Sequence, residues 1–167
     1  MNHKLFISLS LCLLLIASCC KPPDTLMRST HIPNRYIGLD SLYSRMAAND
    51  SITIVCYGNS ITRGGGITYP KTLEGLLRQE YHNDNITVVN EGRSGWTAEM
   101  AAGGMDTLVL PHQPDLVTII FGINDLYQDK DTINYKHNLS LMVNTLKQLG
   151  IPVLVMSPTP LNNSANK

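Results

Sequence analysis

Three short segments carry side chains suited to acyl transfer. Tyr57-Gly58-Asn59-Ser60-Ile61-Thr62 puts a hydroxyl two residues after a glycine that ends an apolar run, where an exposed nucleophile would stand. Serine attacks well only when a base takes its proton and fixed donors hold the oxyanion that forms. Two further segments offer such donors. Asn90-Glu91-Gly92-Arg93-Ser94-Gly95-Trp96-Thr97 contains a glycine whose backbone N–H is unhindered, and Phe121-Gly122-Ile123-Asn124-Asp125 contains an asparagine amide. Read singly, each has a plainer explanation. Ser60 would cap the next helix, Gly95 would serve a turn, and Asn124-Asp125 would be a turn capping the helix that follows.

The elements around these segments decide how the three relate. Ile52 to Tyr57, Ile86 to Asn90, Leu116 to Phe121 and Pro152 to Met156 are short apolar runs rich in β-branched residues, as strands covered on both faces should be. Helical patterns lie between them: about 69–81 with Leu73, Leu76 and Leu77 on one face, a short stretch from Thr97, and about 132–149 with Tyr135, Leu139, Met142, Val143, Leu146 and Leu149 on one side, closed by Gly150. Leu39, Leu42, Tyr43 and Met46 mark a further helix before the first strand. Strands alternating with helices predict a flavodoxin-like three-layer α/β/α sandwich with a parallel sheet. Ligands in such folds bind at the carboxyl ends of the strands, and each of the three segments follows a strand. They therefore converge on one edge, and the joint reading outweighs the separate ones.

Motifs for other chemistries are absent. Thr62 stands where a Gly-x-Ser-x-Gly elbow needs its second glycine, and Gly64-Gly65-Gly66 is followed by Ile67-Thr68 rather than a phosphate loop's Lys-Ser/Thr. A nucleotide-binding domain is disfavoured accordingly. The charge balance, 13 basic against 13 acidic residues among 167, offers no basic stripe for a nucleic-acid partner.

At these residues the chain resembles the SGNH hydrolases, also called GDSL-type esterases and lipases. Gly58-Asn59-Ser60 matches the first block with Asn59 where many members carry aspartate, Gly95 matches the second, and Gly122-Ile123-Asn124-Asp125 matches the third, in family order. The resemblance implies that Ser60 is the nucleophile and that the Ser60 N–H, the Gly95 N–H and the Asn124 side chain form the oxyanion hole. It implies hydrolysis of a small-molecule or carbohydrate ester through an acyl-serine, with no metal or cofactor. Arg93 and Trp96, beside Gly95, are candidate contacts for a sugar or an acid group, or else solvent-facing and packing residues.

The family's fourth block, Asp-x-x-His, is not found. None of His3, His31, His82, His112 and His137 has an aspartate three residues before it. The sequence is therefore expected to be a C-terminally truncated member, its domain 38–167 lacking the last strand and helix. A catalytically dead binding or vestigial fragment is the alternative function. Ahead of the domain, Leu5 to Ala17 is an apolar stretch behind Lys4, too short for the roughly 20 residues of a membrane-spanning helix. It leads into Ile16-Ala17-Ser18-Cys19, which resembles a bacterial lipoprotein box, so 1–18 is expected to be a signal peptide, Cys19 the lipidated residue and 19–37 a tether on the periplasmic or cell-surface side. Cys56, inside a strand run, is expected to be a buried thiol rather than part of a disulfide framework.

Overall fold

A computed structural model describes residues 38–157. The signal peptide, the tether, Cys19 and the segment from Pro158 onward lie outside the described residues.

The order of elements is α1 (Leu39–Ala47), β1 (Ile52–Gly58), α2 (Ser60–Arg63), α3 (Tyr69–Tyr81), β2 (Ile86–Gly92), α4 (Ala98–Leu108), a 3₁₀ turn (Leu110–His112), β3 (Leu116–Ile120), α5 (Ile123–Tyr127), α6 (Thr132–Gln148) and β4 (Val153–Val155). The strands are all parallel, in the order β2-β1-β3-β4. The chain steps from β1 to β2 in one direction and from β2 across β1 to β3 in the other. Right-handed crossovers then require α3 to lie on one face and α4 and α6 on the opposite face. The two cores show this division. Leu42, Met46, Ile52, Ile54, Ile86 and Leu116 pack with Leu77 and Tyr81 of α3 on one side. Val55, Tyr57, Val117, Ile119 and Phe121 pack with Ala101 and Met105 of α4 and Met142 and Leu146 of α6 on the other.

Burial along the strands follows from position in the sheet. β1 and β3 are interior and almost wholly buried, whereas β2, at an edge, is partly buried and exposes Thr87 and Asn90. Asp115 ties the amino ends together, accepting from the Thr53 N–H at 2.8 Å and pairing with Arg45 of α1.

The helix over 69–81 forms within the expected bounds, but its buried face is turned. Leu76 is 59 % exposed, while Glu74 is buried. Glu74 is tolerated there because it is fully paired. Its carboxylate accepts from Lys71 Nζ at 2.6 Å and from the Val88 N–H of β2 at 3.0 Å, and Arg78 stands 3.7 Å away. The Lys71 hydrogen bond, then the Val88 N–H, hold its carboxyl below the usual glutamate range. An apolar-periodicity count overlooks this carboxylate, which fastens α3 to the edge strand. On α6, Leu149 lies past the helix end and is 56 % exposed, so the apolar side ends at Leu146. Cys56 is buried and free, and burial raises its thiol pKa.

Candidate active site

The sheet order reverses at β1, whose neighbours β2 and β3 are reached in opposite directions. Their carboxyl ends meet in register: Gly58 pairs with Gly92 on one side and with Ile120 on the other. The loops carrying Ser60, Gly95 and Asn124 all leave from this rung.

Asn59, not Ser60, caps α2. Its Oδ1 accepts from the Ile61 N–H at 2.9 Å. Asn59 is fully buried, and its Nδ2 has no hydrogen-bond partner among the described residues. Ser60 is thereby released from the capping role and stands exposed as the first residue of α2. The turn is supported from beneath, where the Tyr69 and Thr118 hydroxyls lie 3.2 Å apart beside Cys56; burial pushes the Tyr69 hydroxyl up to about 12.

The second loop is clipped to the first by the Arg93 N–H, which donates to the Gly58 carbonyl at 2.8 Å. Gly95 has φ +78°, a backbone setting that favours glycine, and is exposed. Trp96 packs on the core over Gly104, where an added Cβ would come 2.8 Å from its ring. Arg93 pairs with Glu91 at 2.7 Å, and the same carboxylate meets His112 Nε2 at 3.0 Å. The packing role thus holds for Trp96, and Arg93 is engaged by a carboxylate of its own chain.

The third loop turns at Gly122, with φ +120° and Tyr135 lying against it. Asn124 Nδ2 donates to the Trp96 carbonyl at 2.8 Å. Asp125 departs from the sequence expectation of a turn capping the following helix. Its buried carboxylate accepts from the Ala98 N–H at 3.0 and 3.1 Å, at the start of the preceding helix α4. The cap of α6 is Asp131, which accepts from the Ile133 N–H at 2.8 Å. Gln128 Nε2 donates to the Gly95 carbonyl at 3.1 Å. These ties from α5 to the 95–98 loop escaped sequence reasoning, although the i,i+4 spacing of Asn124 and Gln128 places both on one side of a helical turn.

Of the described histidines, His82 and His112 precede strands and His137 lies within α6 on its exposed side. None comes directly after a strand in the chain, although His112 reaches Glu91 near the carboxyl end of β2. Among the described residues no cluster of three or more His, Cys, Asp or Glu is placed to hold a metal ion.

Residues 56–167 match the GDSL-like lipase/acylhydrolase family. The chain belongs to this family. An arylesterase from Vibrio mimicus is 30 % identical over 66 % of this chain and 56 % of its own length. An acetylxylan esterase from Geobacillus stearothermophilus is 30 % identical over 56 % of this chain and 47 % of its own. Among solved structures, AlinE4, an SGNH-hydrolase family esterase, superposes with a TM-score of 0.58 at 30 % identity, covering 65 % of this chain and 61 % of that one. The GDSL-like chain therefore spans about half the length of the curated relatives it matches. Both the family read from the three blocks and the parallel α/β architecture stand.

Proposed function

We propose that the protein is a serine ester hydrolase, with Ser60 as nucleophile and the Ser60 N–H, the Gly95 N–H and the Asn124 side chain as oxyanion donors. The observation that carries this reading is the shared rung of Gly58, Gly92 and Ile120, from which all three loops depart. Ser60 Oγ attacks the ester carbonyl carbon, the alcohol leaves, and water hydrolyses the acyl-serine. Asn124 spends one amide hydrogen on Trp96, which fixes the group and directs the second hydrogen elsewhere. Preorganised donors of this kind stabilise the developing oxyanion without reorganising during reaction. The general base is not assigned. The second reading is a binding or vestigial protein.

Quenching the protein with acid during p-nitrophenyl acetate hydrolysis and mapping its peptides by mass separates the two. An acetyl group on Ser60 supports the esterase. Acetylation confined to lysines, with no hydrolysis above background, supports the second reading and removes the first.

We also propose that the protein is exported and anchored through a lipid on Cys19, which the apolar stretch ending in Ala17-Ser18-Cys19 supports. Radiolabelled fatty acid supplied to expressing bacteria is expected to mark the protein and to spare Cys19→Ser. Equal labelling of both would exclude Cys19 as the site.

A further inference from the structure

We propose that Gln128 is a positioning residue that sets the direction of the Gly95 N–H, an inference resting on the assignment of Gly95 as an oxyanion donor. Gly95 is exposed, and a Cβ built on it would meet nothing within 4 Å. No packing on its Cβ side therefore holds it. Without a side chain it also has two unusually free dihedrals, and fixing them costs conformational entropy. Hydrogen bonds must do the fixing.

Those bonds come chiefly from one short helix. Gln128 Nε2 donates to the carbonyl of Gly95 itself at 3.1 Å, and Asn124 Nδ2 donates to the next carbonyl, Trp96, at 2.8 Å. The Trp96 N–H adds a weaker turn bond to the Arg93 carbonyl at 3.3 Å. Gln128 and Asn124 are themselves joined, since the Gln128 N–H donates to the Asn124 carbonyl at 3.0 Å. Asp125, between them, anchors the same helix to the Ala98 N–H. The turn bearing the Asn124 donor thus also clamps the Gly95–Trp96 peptide, which follows the Gly95 N–H across a single Cα, and Gln128 is the part of the clamp that touches Gly95. Its role is geometric. It keeps two donors from different loops in one fixed relation, as stabilisation of a developing charge requires.

The test uses Gln128→Met, which keeps length and removes the donor, and Gln128→Lys, which restores a donor on a stem of similar reach. In Gln128→Met the backbone order parameter of Gly95 is expected to fall from about 0.85, the rigid value, to below about 0.7, with Tm unchanged. Ser60-dependent kcat should drop about fivefold at constant KM, the pattern of an interaction that matters in the transition state. Gln128→Lys should recover both. An unchanged order parameter in Gln128→Met overturns the clamp, whether or not the protein turns over ester. A mobile Gly95 with unchanged kcat overturns the positioning role. Absence of Ser60-dependent turnover in the unsubstituted protein would tell against the proposed esterase, and the order parameter would still decide whether Gln128 holds the loop.

Discussion

Replacing Ser60 with alanine is expected to abolish ester hydrolysis while leaving the fold intact. In serine hydrolases whose base is in place, loss of the nucleophile alone costs about as much as loss of the whole catalytic set, on the order of 10⁶-fold in kcat, so the fall here is as large as the rate that a base sustains on Ser60. The remaining rate, still roughly 10³–10⁴ above water, comes from oxyanion donors and substrate binding. Two of the proposed donors stand on other loops, Gly95 after β2 and Asn124 in α5, and the third is the backbone N–H of residue 60, which alanine keeps, so the substitution leaves them in place. Stability should move by less than about 0.5 kcal/mol, as for other exposed positions without a special contact. Ser60 is exposed, alanine favours helix, and the cap of α2 belongs to Asn59. Initial rates with p-nitrophenyl acetate and a urea titration on the same samples check both halves. Turnover that persists in a folded Ser60→Ala protein removes Ser60 as nucleophile.

The parts of this site legible in the sequence are those whose signal is local. The β-branched runs identify the strands because a buried parallel strand is apolar at nearly every position, and the placing of Ser60, Gly95 and Asn124 at one sheet edge is legible because each lies a few residues beyond such a run. Partnerships across the fold are less visible. Asp125 reads as a turn residue, yet its carboxylate reaches the Ala98 N–H 27 residues earlier. Glu74 sits on a helix whose leucines suggest a different buried face, and only the Val88 N–H of the neighbouring strand explains why a carboxylate is enclosed there. Composition cannot show that Trp96 folds over Gly104 rather than facing a ligand, because either use suits an indole. Sequence patterns report what a residue needs. They do not report which distant group supplies it.

Glycines show the same limit, and one yields the second large effect. Gly92→Ala is expected to destabilise the protein by about 3 kcal/mol, at the upper end of overpacking costs. A Cβ at Gly92 would lie 2.1 Å from the Arg63 nitrogen and 2.4 Å from its Cα. These are backbone atoms of α2, so no rotamer change relieves the clash. Gly58, paired with Gly92 across the sheet, is equally enclosed, its Cβ falling 2.0 Å from Thr62 Oγ1. The two glycines form a shelf on which the Ser60 helix rests, and raising the shelf tilts Ser60. Gly92→Ala should therefore lose Ser60 acetylation rate as well as stability, unlike Ser60→Ala, which separates them. Gly75→Ala supplies the contrast. Gly75 is exposed inside α3 with nothing within 4 Å of an added Cβ, so alanine there should stabilise by about 0.5–1 kcal/mol. Urea midpoints shifting in opposite directions for the two variants would establish that the clash with α2, and not the loss of glycine as such, sets the sign. A Gly92→Ala protein as stable and as readily acetylated as the parent would mean that α2 does not rest on Gly92.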